Sequence, residues 1–212
     1  MRLYLSSLDL GAHAARLPAL AGGTQRCAIV LNALDHRPEA RVACQRSHTE
    51  ALAALGLAVD ELDLRRYFGA SAALATRLDA LDMIWVTGGN PFILRRAMRQ
   101  SGFELAGCAA VQRARLLYAG CGAAAAITAR SLRGLDNIDD PEDTPPGYEG
   151  AVVWDGLRLL PFALAVHYRC GHPHGPAVEL LTAFYENEGM PYRTLADGAV
   201  LVVDGRDVQT LA

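Results

Sequence analysis

The chain has 212 residues, 51% of them hydrophobic, and its 20 basic and 23 acidic residues leave a net charge of -3. This length and apolar share can bury a full core within one α/β domain spanning residues 1–212. The charges form no basic stripe, which argues against nucleic acid, and no apolar run reaches the roughly 18 residues of a membrane span. Every basic residue is an arginine, a feature of composition to which no function attaches. The N-terminal stretch Met1–Gly11 turns polar too soon for a secretory signal. Five cysteines, Cys27, Cys44, Cys108, Cys121 and Cys170, show no C-x-x-C spacing. A reduced, cytoplasmic protein is therefore expected, with neither a structural zinc site nor a disulfide framework.

In chain order, short apolar runs alternate with longer helical patterns. Strands are predicted at Arg2–Leu5, Arg26–Leu31, Ala58–Leu62, Met83–Val86 and Leu116–Ala119. Ile29-Val30-Leu31 and Met83-Ile84-Trp85-Val86 are apolar at consecutive positions, as in strands covered on both faces. Helices are predicted at Glu39–Leu55, Ser71–Leu78, Pro91–Ser101 and Glu104–Arg113. In the third of these, Phe92, Leu94, Arg95, Met98 and Arg99 sort into an apolar and a basic face, and Pro91 suits the first turn. Such alternation predicts an α/β fold, a mainly parallel sheet flanked by helices on both faces.

The ten-residue segment Tyr118–Ile127 holds the most informative turn, in which Gly120-Cys121-Gly122 joins a buried strand to a helix beginning at Ala123. That is the outline of a nucleophile elbow, in which a strained strand-to-helix turn lifts one side chain above the sheet. The outline lacks the usual serine. Farther along, Gly134–Gly150 carries six acidic residues, three prolines and three glycines and should be an exposed loop. Strand-like runs follow within Leu157–Val166, then a helix at Gly175–Gly189 and a closing hairpin of Ala199–Val203 and Val208–Leu211.

Ligands of open α/β sheets bind beyond the carboxyl ends of the strands. Three features fall at such ends: Thr87-Gly88-Gly89-Asn90, Gly120-Cys121-Gly122 and His167-Tyr168. The adjacent glycines could turn backbone N–H groups toward an oxyanion, and the missing Lys-Ser/Thr excludes a phosphate loop. A histidine facing the elbow would be placed as a general base. Asp136, Asp139 and Asp140 supply carboxylates that could orient it. His172 and His174 lie nearby, but their loop spacing gives weak ligand geometry, and no metal or other cofactor is expected.

These motifs, in this order, resemble the dipeptidase E family of serine peptidases, aspartyl dipeptidases related to cyanophycinase. The likeness runs over nearly the whole chain, from Met1–Gly11 through Trp85–Phe103 and Tyr118–Ile127 to Asp155–Tyr168 and Asp197–Gly205. It implies a glutamine amidotransferase-like three-layer sandwich and a small acidic dipeptide, or another peptide- or amino-acid-derived compound, as substrate. It also implies His167 as the catalytic histidine, with Asp139 ahead of Asp140 and Asp136 as its carboxylate. Gly88, Gly89, Asn90 and Ala123 would then form the oxyanion and substrate-binding positions. The chain departs from the family at Thr87, where a glycine is usual, at Val166, where a proline is usual, and at the nucleophile. The family elbow reads Y-x-G-x-S-A-G-A, so Tyr118 and Gly120 fix a register in which Gly122 occupies the serine position.

A glycine cannot attack a carbonyl, so the family's acyl-enzyme route is not expected to run from this position. Read one residue earlier, Ala119-Gly120-Cys121-Gly122-Ala123 resembles the cysteine elbow of glutamine amidotransferases, which makes Cys121 an alternative nucleophile. The ungapped register favours Gly122 and turns Cys121 away from His167. The competing functions are a hydrolase using another nucleophile or a water, a non-catalytic ligand-binding relative, and a glycine substitution in a serine peptidase. Arg133 and Arg169 are candidate partners for an acidic side chain. Homo-oligomer formation is left open.

Overall fold

The computed structural model describes residues 1–23 and 26–212. Nine strands are present among them: β1 Arg2–Ser6, β2 Arg26–Val30, β3 Ala58–Glu61, β4 Met83–Val86, β5 Leu117–Cys121, β6 Ala163–Val166, β7 Tyr192–Leu195, β8 Val200–Asp204 and β9 Asp207–Leu211. Seven of them form one sheet in the order β3-β2-β4-β5-β1-β8-β9. The five from β3 to β1 are mutually parallel, and β8 and β9 add an antiparallel edge. The helices are α1 Leu17–Leu20, α2 Pro38–Ala54, α3 Ser71–Asp79, α4 Pro91–Gln100, α5 Phe103–Gln112, α6 Ala123–Ala126 and α7 Gly175–Asn187.

Strand alternation divides the apolar residues between two cores, because successive side chains point to opposite faces. Leu3 and Leu5 of β1, Ala28 and Val30 of β2, and Ile84 and Val86 of β4 pack beneath α3, α4 and α5. Tyr4, Cys27, Ile29, Met83 and Trp85 face the other way, toward Leu17 of α1 and Leu52 of α2. All of these strand residues are at most 1% exposed, which explains why consecutive apolar positions were needed. The predicted mainly parallel sheet with helices on both faces is the observed architecture.

Two parts of the chain differ from the sequence reading. Only Ala163–Val166 of the run Leu157–Val166 pairs as a strand, and it pairs with β7 in a separate two-stranded parallel sheet. The backbone before it is spent elsewhere: Leu157, Arg158 and Leu159 donate to the carbonyls of Ile127, Ala129 and Thr128 just beyond α6. The basic residues of α4 also divide, with Arg99 exposed and Arg95 buried beside Arg96. Arg95 and Arg96 are each 1% exposed, and Arg96 donates to the carbonyls of Pro141, Asp143, Gly150 and Ala151. A guanidinium can be buried this way because its fork of donors is satisfied by carbonyl oxygens. The acidic loop is thus strapped to the core at its backbone, and Tyr148 ties it further through a hydrogen bond to Asp35.

Candidate active site

The carboxyl ends of β4 and β5 converge, and the β6–β7 pair brings a third strand end against them. β5 extends to Cys121, so Gly120 lies within the strand and packs where a Cβ would collide with the Val86 carbonyl oxygen. Gly122 then turns the chain at φ 55° and ψ -118° into α6. A side chain rarely tolerates that conformation, which is the strained geometry of a nucleophile elbow. An ideal Cβ on Gly122 would stand 4.0 Å from His167 Nε2 and 3.4 Å from Gly88 Cα. Position 122 is therefore the elbow position that faces His167.

His167 follows β6 in a left-handed conformation, φ 59°. Ser7, fully buried after β1, accepts the His167 N–H at 2.8 Å and donates from the same hydroxyl to Asp197 Oδ1 at 2.8 Å. Asp197 Oδ1 in turn accepts from His167 Nδ1 at 2.6 Å. The imidazole is held with Nδ1 on a carboxylate and Nε2 toward the elbow, the orientation a general base requires. Burial pushes the Asp197 carboxyl up, but hydrogen bonds from Cys170, His167 and Ser7 outweigh it and hold the group below the ordinary carboxylate range.

The carboxylate on His167 is thus Asp197, whereas the sequence pointed to Asp139, with Asp140 and Asp136 behind it. Asp139 lines the same cleft, but the groups that act on it are His174, Arg37 and Asp143, not His167. Burial raises its pKa to about 6, with Asp143 adding to the rise and His174 and Arg37 opposing it. Asp140 is used locally, accepting from the Glu142 N–H, and Asp136 accepts from the Gly134 N–H. Asp197 lies 30 residues from His167 in sequence. The β6–β7 ladder pairs Val166 with Leu195, which brings the two side chains together. Its sequence signal, Asp197-Gly198 before the closing hairpin, was visible but carried no hint of this partner.

Cys121 sits one residue before the elbow position and points elsewhere. Its Sγ lies 3.9 Å from His48 Nε2 and packs with Tyr4, Trp85 and Ala119 in the core on the α2 side. Burial pushes this thiol up to about 12, with hydrogen bonds from the Gly88 and Asp9 backbones opposing the shift. Gly88 and Gly89 follow β4 and line the cleft with Ala123. Asn90 does too, but its amide oxygen caps α4 by accepting from Phe92 and Ile93 N–H at 2.8 and 3.2 Å, and its nitrogen donates to the Asp140 carbonyl. Its side chain is a helix cap and loop tether.

The cleft over the elbow encloses about 400 Å³, of a size for a small ligand. Arg37, His36, His172 and His174 add cationic or ionisable groups to its wall. The sequence candidates Arg133 and Arg169 lie over the rings of Trp154 and Tyr168 instead. The His172 ring stacks on His167 with centroids 3.7 Å apart, and His174 meets His172 edge-on.

A parallel α/β sheet with a strand–turn–helix elbow opposite a histidine–carboxylate pair defines an elbow-type hydrolase scaffold. Within that class the chain belongs to peptidase family S51, whose model matches residues 38–211. It is 26% identical over 161 residues to an uncharacterized peptidase of Listeria monocytogenes, covering 76% of this chain and 74% of that protein. It is 34% identical over 134 residues to Peptidase E of Streptomyces coelicolor, covering 61% of this chain and 51% of that one. A crystal structure assigned to Peptidase E of Listeria monocytogenes superposes with a TM-score of 0.81 at 22% identity, covering 99% of this chain and 97% of the other. A peptidase from an acI-B1 actinobacterium superposes at 0.68 with 14% identity, covering 100% and 87%. At those identities the structural likenesses speak for the fold.

Proposed function

We propose that this protein binds small acidic dipeptides in the elbow cleft and has lost the serine-type acyl-enzyme route of its family. The observation that carries this reading is the residue at the elbow position. A Cβ at 122 would face His167 Nε2 at 4.0 Å, and the residue there is glycine. The base and its carboxylate are in place, but no side chain at 122 can attack. Cys121 is a poor substitute, because its thiol lies against His48 and burial raises its pKa to about 12, which disfavours the thiolate. Gly88, Gly89 and Ala123 are the backbone positions we assign to the substrate carbonyl. Arg37 at the rim is the cation we assign to the acidic side chain, in a cleft whose volume suits a dipeptide.

The test is calorimetric titration of the wild-type protein with Asp-containing dipeptides and with neutral analogues, beside a hydrolysis assay. Saturable binding that weakens in Arg37→Ala, with negligible turnover, is the expected result. Turnover by the wild type that is abolished on alkylating Cys121, or no discrimination between acidic and neutral dipeptides, would overturn the reading.

A further inference from the structure

His167 Nδ1, Cys170 Sγ and a carboxylate oxygen of Asp197 lie within 4.8 Å of one another. Nδ1 is 2.6 Å from Oδ1, and Sγ is 3.1 Å from Oδ2. We propose that these three side chains form a zinc-binding site in which His167 is metallated through Nδ1. One imidazole nitrogen, one thiolate and one carboxylate are the donor types zinc takes, and three protein ligands leave its fourth position open. The two anionic ligands also balance the charge of the dication, which a partly buried site requires.

The backbone is built to gather these donors. His167 and Arg169 both adopt left-handed conformations, φ 59° and 50°, and this bend returns Cys170 toward β7. The register Val166↔Leu195 delivers Asp197 to the same end of the ladder. Zinc bonds of about 2.0–2.3 Å in a tetrahedron hold neighbouring ligand atoms roughly 3.3–3.8 Å apart. The present hydrogen-bonded separations therefore open by about an ångström or less when the metal replaces the bridging protons. His172 and His174 are not ligands in this arrangement. His172 stacks parallel on the His167 ring, 9° between planes, so its nitrogens lie above the ring and outside the plane in which Nδ1 presents its lone pair.

The proton balance has a consequence. Zinc displaces the Cys170 thiol proton to solvent, and the imidazole proton moves by way of water from Nδ1 to Nε2. Asp197 is already ionised. With Nε2 protonated, His167 faces position 122 as a donor and can no longer accept a proton there. Metal binding and general-base use of His167 exclude each other.

The experiment is a titration of the full chain with Co²⁺ as a spectroscopic stand-in, followed by competition with Zn²⁺. One cobalt per chain with a thiolate-to-cobalt charge-transfer band, displaced by Zn²⁺, is expected. Cys170→Ser should abolish the band, and Asp197→Asn should weaken binding by at least the roughly 10–100-fold that outer-shell losses cost. His172→Ala and His174→Ala should leave the band in place. Thermal melts of the metal-free variants separate a lost ligand from a lost fold. Absence of the band in the wild type, its survival in Cys170→Ser, or its loss in His172→Ala would overturn the proposal. Dipeptide titrations in the presence of a chelator isolate the binding reading from this one.

Discussion

At the scale of single residues, Gly122 takes up the elbow conformation at little steric cost. Its φ of 55° would strain any other residue by about 1–3 kcal/mol. Gly122→Ser is therefore expected to lower stability by about that amount, measured by denaturant unfolding. The same change should raise turnover of Asp-containing dipeptides, since the new hydroxyl can reach His167 Nε2. Recovery will be partial if Ala124, where the family has glycine, crowds the elbow. Gly122→Ala supplies the control, with the same strain and no nucleophile. Asp139 makes a second prediction. Its folded pKa, raised to about 6 by burial, exceeds the ordinary value of 3.8, so the folded state binds the proton more tightly. Stability should consequently fall as pH rises from the ordinary value through about 6. Asp139→Asn should flatten this step in a series of thermal melts. Asp197, held low, acts in the opposite sense: its contribution is present above the ordinary range and is lost as pH falls through its folded pKa.

At the scale of elements, the β5–α6 turn and the Arg96 strap each hang on one residue. Gly120→Ala would drive a Cβ into the Val86 carbonyl and toward Ala124 Cβ. It should push β4 and β5 apart where they build the cleft, with a lower melting temperature and weaker ligand binding together. Arg96→Met keeps the length and removes four donations to loop carbonyls. Hydrogen bonds from charged groups are worth roughly 1.5–3 kcal/mol each, so a loss of at least about 3 kcal/mol is expected. Hydrogen exchange should rise across the segment 141–151 while the exchange of β2 and β4 stays slow; uniform acceleration would show that the strap supports the whole fold.

Across the whole molecule, what was legible in the sequence is what depends on local pattern. The parallel strands were readable because burial on both faces demands consecutive apolar residues, and the elbow because its glycines sit between a strand and a helix. Tyr192–Leu195 was not readable as a strand, being short and half polar in Tyr-Arg-Thr-Leu. Asp197 escaped because its nearness to His167 is a property of the β6–β7 register, which no local spacing encodes. Arg95 and Arg96 escaped because charge usually signals solvent, and here the counter-groups are mostly backbone carbonyls brought from 45 to 60 residues away. Those carbonyls have a further meaning. A backbone oxygen is the same in every amino acid, so the Arg96 anchor does not depend on which side chains the loop carries. Sequence drift along the rim of the cleft can proceed without loosening the frame beneath it. Such a scaffold can change its rim side chains while the Arg96 guanidinium keeps its hold on the backbone beneath them.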